Sequence, residues 1–430
     1  MTAVVNQILD AARGPERLWQ QQQSALSAQS SALTSINSSV TALQSAMRAL
    51  SDVSGIISSK TATSSQTGSL TASAQSGAAT GNHWITVSSL ASIASSYSDA
   101  MASSSTTFAN GVITLKVGNT STDITVDGSN NTIAGLATTI NTRNLGVTAS
   151  VINDANGARL ALVSKTAGEP GDLTITGNTS GLNFHKSVTG ENASLTIDGV
   201  PLSSATNTVT GAIEGVTLTL VSAAPSTPVQ LAVGPNTSSV GQAVRDFVSA
   251  YNAVIRAINT QFTFNSSTNT AGPLASNSSL RSLQSSLLSD ATYAMTGNNG
   301  YQSLASFGVK MANDGTLSVD DSVLNGVLSD HYSEFQNFFQ SSATGFGAHF
   351  SADLNSLTSP TQGILNANLT QIKNQQKTLS DTITTFEDHL ATREQFLIKQ
   401  YSQIDAMLRQ YPVLMQQITE QLNVLDQNRK

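Results

Sequence analysis

The side chains that most often perform catalysis or bind metals are sparse in this sequence. There is no cysteine, which excludes thiol nucleophiles, thiolate metal sites and disulfides. The histidines are His83, His185, His331, His349 and His389. No two of them have the three- or four-residue spacing that places two metal ligands on one face of a helix. The sequence therefore predicts surface or half-buried histidines rather than metal ligands.

The segment Asp154-x-Asn156-Gly157 partly resembles a calcium-binding loop. In such a loop, oxygen ligands are needed at the first and twelfth positions, which are occupied in this sequence by Ile152 and Val163. The segment is therefore interpreted as a turn.

Known catalytic motifs are also missing. The sequence has no nucleophile elbow, no P-loop and no complete dinucleotide-binding glycine motif. The acidic pairs at 320–321 and 387–388 stand at a predicted helix start and within a heptad pattern, which indicates solvated helix faces. We expect no catalytic residue, no cofactor and no bound metal, and the protein is predicted not to be an enzyme.

Composition narrows the class of partner. The chain has 430 residues, a net charge of −7 and only 11% charged residues, with no basic cluster. Duplex nucleic acid and anionic membranes require clustered Lys and Arg, so neither is expected as a partner. No apolar run is long enough to span a bilayer, which predicts no membrane insertion. The first residues lack the basic and apolar regions of a secretory signal peptide, which predicts either a cytoplasmic protein or export by another route.

The N-terminal region predicts one long helix from about Pro15 to Leu50. Its apolar residues recur at alternating three- and four-residue steps, the heptad spacing of a helix–helix seam. The N-terminal seam consists of Leu26, Leu33, Ile36, Val40, Leu43, Met47 and Leu50.

The C-terminal region has a similar pattern. The C-terminal seam consists of Leu379, Ile383, Phe386, Leu390, Leu397 and Ile404. A short amphipathic segment around Pro412 follows, with apolar residues Leu408, Met415, Ile418 and Leu422. Pro412 is expected to kink or break the helix near residues 410–411, because proline has no backbone N–H. The two seams either form an antiparallel helical hairpin or also bind other copies and partner helices.

The middle of the chain, about 60–237, predicts short strands with closely spaced turns. One helix interrupts them, with Ile133, Leu136 and Ile140 on one face after a cap at residues 130–132. Hairpins are predicted at 146–164 and 304–319. Ser318-x-x-Asp321 predicts a capping box for the helix that follows the second hairpin.

These patterns predict a multidomain α+β fold in which coiled-coil-like N- and C-terminal legs pack together and nested β-rich head domains are inserted between them. We expect an N-terminal leg at 1–50, a helical body at 51–70 and 238–378, a head domain at 71–107 and 191–237, an inserted outer head domain at 108–190, and a C-terminal coiled-coil leg at 379–430.

An ordered set of segments resembles one known family. Residues 240–252, 272–281, 304–309 and 314–320 are similar to successive stretches of flagellar filament cap proteins, the hook-associated protein 2 family. Residues 131–164, with Ile140-Asn141 near the centre, resemble the hook IN motif of flagellar axial proteins. Val5, Ile8 and Leu9 are similar to the family's opening helix.

The resemblance implies a structural cap at the distal tip of the extracellular bacterial flagellum, which helps exported flagellin fold and insert and prevents its loss. It implies a homo-oligomeric ring, with a pentamer expected, type III export without a cleavable signal peptide, and a role in motility. The implied partners are flagellin, the hook–filament junction protein and a cytoplasmic export chaperone. In this interpretation the two seams contact other subunits or flagellin, and Leu408, Met415, Ile418 and Leu422 contact the chaperone and later the filament tip.

Two alternatives remain open from the sequence. The chain could be a hook–filament junction or flagellin-like axial protein, which shares helical ends and a β-rich centre. It could instead be a surface adhesin that binds host mucin or glycan through its head domains. Trp84, Tyr97 and Phe108 could provide stacking faces for a sugar, although isolated aromatic residues are more typical of a core.

Overall fold

The computed structural model describes residues 2–266, 270–359 and 363–427. Two compact units emerge from the contacts within the chain. The helical unit comprises Met1–Asp52 and Ser238–Lys430, and the β-rich unit comprises Val53–Thr237. The predicted multidomain α+β class is confirmed.

The helices, in chain order, are α1 (Thr2–Ala12), α2 (Gly14–Ser51), α3 (Ile133–Arg143), α4 (Thr237–Phe262), α5 (Ser278–Ala291), α6 (Asp321–Asp330), α7 (Tyr332–Gln340), α8 (Phe346–Thr358) and α9 (Ile364–Gln427). Short 3-10 turns occur at Ile56–Ser58, Glu169–Gly171 and Leu304–Phe307. Within the described residues, no helix has an apolar stretch long enough to cross a membrane.

The strands are β1 (Lys60–Ser64), β2 (Leu70–Ala74), β3 (Gly81–Ser89), β4 (Ile93–Ser98), β5 (Gly111–Val117), β6 (Thr120–Val126), β7 (Val147–Asp154), β8 (Gly157–Ala167), β9 (Leu173–Asn178), β10 (Phe184–Val188), β11 (Ala193–Ile197), β12 (Val200–Ser204), β13 (Thr208–Ile213), β14 (Val216–Leu220), β15 (Val229–Pro235), β16 (Phe264–Asn265), β17 (Thr270–Ala271), β18 (Val309–Met311) and β19 (Leu317–Val319).

The two long helices α2 and α9 follow the predicted seams. Pro15 lies in the first turn of α2, where its missing N–H removes no helical hydrogen bond. Helix α9 runs unbroken for 64 residues with Pro412 inside it. Of the predicted kink or break near Pro412, the break is therefore wrong, since loss of one hydrogen bond has not ended so long a helix. Residues 428–430 of the predicted C-terminal leg lie outside the described residues.

The helical unit is built on a cluster of buried aromatic side chains from α4, α7, α8 and the turn before β18. The cluster consists of Phe247, Tyr251, Phe307, Phe335, Phe338, Phe339, Phe346 and Phe350. The Phe338 and Phe346 rings stack with their centroids 5.3 Å apart, and Phe247 meets Phe350 edge-on at 5.5 Å. Such ring pairs add about 0.5–1.5 kcal/mol each beyond the apolar area they bury.

A buried asparagine ties α4 to the β18–β19 hairpin. The Asn252 side-chain nitrogen donates to the carbonyl of Leu317 at 2.8 Å, and the Leu317 N–H donates to the Asn252 side-chain oxygen at 2.7 Å. The amide thus satisfies both backbone groups of Leu317 as a neighbouring strand would. The helix after this hairpin is capped by Asp320, which accepts from the Val323 N–H. The predicted capping box at Ser318 and Asp321 is wrong, because Ser318 lies in β19 and pairs with Lys310.

The β-rich unit has two cores. The inner core lies between the five-stranded sheet β1-β15-β3-β11-β12 and the three-stranded sheet β13-β14-β2. Strand β1 pairs with β15 along its whole length, and β2 pairs with β14. The predicted placement of 51–70 in the helical body is therefore wrong from Val53 onward, because these residues make their contacts within the β-rich unit and residues 60–64 pair with β15.

The outer core lies between the sheets β10-β4-β8-β7 and β6-β5-β9, with α3 packed against it. Strand β4 pairs with β8 and β10, so the outer part begins at Ile93 and not at residue 108 as predicted. The hairpin β7–β8 turns through Ala155-Asn156 as expected. Gly157, which follows the turn, has a φ of +125°, a conformation that favours glycine.

The Ile140-Asn141 pair has a visible structural role at the edge of this sheet. Ile140 is buried in the outer core. Asn141 donates to the carbonyl of Ala149 at 2.7 Å and accepts from its N–H at 2.9 Å. Strand β7 is the edge of its sheet, so the amide covers backbone groups that would otherwise lack a neighbouring strand.

Candidate assembly surfaces

The N-terminal seam lies inside the helical unit. All of its residues, Leu26, Leu33, Ile36, Val40, Leu43, Met47 and Leu50, are buried. Helix α2 packs against α8 and α9 of the same chain. A contact with flagellin or another subunit through these side chains would require the unit to open, so their assignment as an intermolecular surface is corrected to an intramolecular core.

The C-terminal seam changes from buried to exposed along α9. Leu390 is buried together with Val5 and Leu9 of α1. The side chains Leu379, Ile383, Phe386 and Leu397 are half-buried, and Ile404 is exposed. Residues Leu379 to Leu397 of this seam therefore contact α1 and α2 of the same chain. Only Ile404, at the C-terminal end of the seam, is available to a partner.

From Met407 to Leu422, α9 carries a series of exposed apolar side chains. Leu408, Met415, Ile418 and Leu422, the predicted partner contact, are all exposed, as are Met407, Tyr411, Val413 and Leu414. No other part of the described chain covers them. An unpartnered apolar surface of this length is typical of a protein–protein contact. We call residues 404–422 the α9 tail.

A groove of about 670 Å³ lies between α2 and α9 near Trp19. Apolar and polar side chains both line it, including Leu26, Gln22 and Leu379. The Trp19 ring meets Phe386 edge-on, with centroids 5.2 Å apart. Trp19 thus contacts Phe386 of α9 and also lines the groove.

The aromatic residues of the β-rich unit differ in exposure. Phe108 packs against the outer core, as expected for an isolated aromatic residue. Trp84 on β3 and Tyr97 on β4 are exposed, so the expectation that they are core residues is wrong. Tyr97 lies between His185, 5.3 Å away, and the Arg159 guanidinium, 5.8 Å away.

Two surface histidines pair with carboxylates in this unit. His83 Nδ1 lies 2.8 Å from Asp198 Oδ2, and His185 Nε2 lies 2.6 Å from Asp99 Oδ1. Hydrogen bonds from these imidazoles lower the pKa of Asp198 and of Asp99. Solvated pairs of this kind bridge neighbouring strands and offer no buried group for acid–base chemistry.

The remaining histidines belong to the helical unit. His389 is exposed beside Trp19, and His331 lies 4.0 Å from Glu334. His349 lies close to Asp290 and Asp353, a grouping that was not predicted from the sequence. The four-residue spacing of His349 and Asp353 on one helix was a readable signal. Asp290 could not be found in this way, because only the packing of α5 on α8 brings it near.

Burial predicts a sharp contrast in amide hydrogen exchange between the two long helices. Residues 26–50 of α2 are expected to exchange slowly, because their apolar face is buried and the helix opens only with the unit. Residues 404–422 of α9 are expected to exchange rapidly in the free protein, because an isolated helix gains little stability without tertiary packing. Exchange measured by mass spectrometry on the full chain tests this. Equal protection of both segments would contradict it.

Comparison with known proteins gives one consistent family. The profile for the flagellar hook-associated protein 2 C-terminus matches residues 190–412, and the profile for its N-terminus matches residues 1–94. The flagellin hook IN motif matches residues 112–166.

Individual relatives match over most of their length. The chain is 30% identical to a B-type flagellar hook-associated protein 2 of Pseudomonas aeruginosa, with 85% of this chain and 84% of the relative covered. It is 26% identical to a flagellar hook-associated protein 2 of Aeromonas caviae over 78% and 76% of the two chains. The crystal structure of the D1-D2-D3 domains of the flagellar cap protein FliD from Escherichia coli is similar with a TM-score of 0.60, at 26% identity, and covers 80% of this chain and 99% of that one.

Proposed function

We propose that this chain, which belongs to the flagellar hook-associated protein 2 family and caps the bacterial flagellar filament, promotes the folding and insertion of exported flagellin. In this proposal the α9 tail makes the contacts with flagellin. The alternative assignments as a junction protein, a flagellin-like protein or an adhesin are not favoured, since the N- and C-terminal profiles of one family both match. The observation that carries the proposal is the exposed apolar surface of residues 404–422 on an otherwise folded helical unit.

The cap is located at the flagellar tip, on the flagellin subunits of the filament. We further propose a ring of five copies, a contact with the hook–filament junction protein, and a cytoplasmic chaperone that binds the α9 tail before type III export without a cleavable signal peptide. The protein is proposed to act without catalysis.

The proposed domains follow the strand pairing. The legs are α1, α2 and α9, the helical body is formed by α4 to α8, and the two cores of the β-rich unit are the inner and outer head domains.

Sedimentation of the full chain over a range of concentrations tests the proposed ring of five copies. We expect a monomer that converts to a pentamer, and a protein that stays monomeric throughout would contradict self-association.

The tail proposal is tested by a double substitution, Ile418→Ser with Leu422→Ser. Each of these side chains stabilises a contact by about 1.5–3 kcal/mol when it is fully buried. We therefore expect chaperone affinity, measured by calorimetry, to fall more than tenfold. The thermal unfolding of the two units should not change, because both side chains are exposed in the free chain.

A matched control is available on the same helix. Gln417→Ser with Gln421→Ser makes the same number of serine substitutions at the same spacing on residues that are also exposed. This control should bind the chaperone as the wild type does. Equal chaperone affinity of the wild type and the Ile418/Leu422 variant would refute the tail as the chaperone contact.

A further inference from the structure

Three potential metal ligands converge between α5 and α8. Asp290 stands in the last turn of α5, whereas His349 and Asp353 are one helical turn apart on α8. One ligand atom from each residue, the two carboxylate oxygens and the imidazole nitrogen, lies within 4.8 Å of the others. The α9 tail and the flagellin contact do not use this cluster.

Asp290 is the residue that needs an explanation. It is only 1% exposed, and its Oδ2 accepts no hydrogen bond from any described residue. Its Oδ1 lies 3.5 Å from His349 Nε2. Buried carboxylates in folded proteins are almost always paired or hydrogen-bonded, because removal from water without compensation is costly. A buried carboxylate with one unsatisfied oxygen, beside two further potential ligands, indicates a missing positive species.

His349 is in contact with a neighbouring aromatic side chain. The half-exposed His349 imidazole packs against Tyr293, with ring centroids 4.4 Å apart and planes tilted by 36°, and the Tyr293 hydroxyl donates to the carbonyl of Thr344 at 2.9 Å. This contact restricts the position of the His349 ring.

We propose that Asp290, His349 and Asp353 bind one divalent cation of the Zn²⁺ type, which fixes the end of α5 to α8 within the helical unit. One imidazole and two carboxylates are three ligands of a tetrahedral Zn²⁺ site, and water would complete the coordination. An imidazole nitrogen disfavours Ca²⁺ and Mg²⁺, which prefer oxygen ligands. Half-exposed His349 and Asp353 give the ion a path from solvent.

A proton shared between the Asp290 and Asp353 carboxyls is the competing explanation for the same geometry. The shared-proton and metal-site explanations predict different responses to added metal. A shared proton predicts no change on addition of Zn²⁺, whereas a metal site predicts saturable binding and stabilisation of the folded protein by mass action.

The test uses the full chain, stripped with a chelator and titrated with ZnCl₂ at neutral pH. Calorimetry should give one saturable site, and the melting temperature should rise with Zn²⁺ but not with equal Mg²⁺ or Ca²⁺. His349→Ala should weaken Zn²⁺ binding at least tenfold and abolish the rise in melting temperature. His331→Ala is the matched control, a histidine of the same unit outside the cluster, and should bind as the wild type does.

Asp353→Asn provides a second variant if His349→Ala does not fold, and it should also lose the site. Absence of saturable Zn²⁺ binding by the wild type would overturn the proposal in favour of the shared proton. Equal Zn²⁺ affinity of the wild type and His349→Ala would overturn it as well, by placing the bound metal elsewhere. Capping of the filament would stand in either case, since it does not rest on this cluster.

Discussion

Leu43→Ala is expected to lower the free energy of unfolding of the helical unit by about 2–5 kcal/mol, whereas Leu18→Ala should change it by less than about 0.5 kcal/mol. Both residues are leucines of α2, but Leu43 is 0% exposed and Leu18 is 65% exposed. Truncation of Leu43 removes buried methyl groups and leaves a cavity among side chains that cannot collapse fully.

This comparison separates the two roles considered for the N-terminal seam. If Leu43 served only in contacts between subunits, its truncation would leave the monomer as stable as the wild type. The measurement is denaturant unfolding followed by Trp19 fluorescence in a Trp84→Phe background, so that the signal comes from the helical unit alone. Equal effects of the two substitutions would show that the seam of α2 is not packed inside the unit.

Asn252→Asp is expected to destabilise the helical unit by about 3 kcal/mol or more at neutral pH, although the side chain keeps its size. The amide nitrogen that donates to the Leu317 carbonyl is replaced by an acceptor, and a negative charge is placed in a buried site. The same substitution at Asn141 removes an equivalent hydrogen bond to Ala149 in an exposed position, so a smaller loss is expected there.

The effect of Asn252→Asp should depend on pH in a definite direction. Burial disfavours the charged form, so the introduced carboxyl has a higher pKa in the folded than in the unfolded protein. The folded variant then binds the proton more tightly, and its stability relative to the wild type recovers as the pH falls and is lost as the pH rises. Unfolding of both proteins from neutral to acidic pH measures this. A constant difference between them would contradict the buried amide contact.

Local patterns determined much of this protein. The heptad spacing of residues 26–50 predicted α2, because apolar side chains that recur on one face of a helix require a partner. The alternation and turns of 146–164 predicted the β7–β8 hairpin for the same local reason. The order of segments such as 240–252 and 314–320 indicated the family, which the matching profiles confirm.

Only the tertiary structure determined which surface, if any, each apolar face packs against. Periodicity marks an apolar face but not its partner, so the seam of α2, which is core, and the α9 tail, which is exposed, have similar spacings of apolar residues. The membership of 53–70 in the β-rich unit depended on pairing with a strand that lies far along the chain. The roles of Asn252 and Asn141 and the cluster around Asp290 could not be predicted for the same reason. Each depends on a contact between residues separated by a long stretch of chain or by a turn, and one-dimensional spacing carries no information about such contacts.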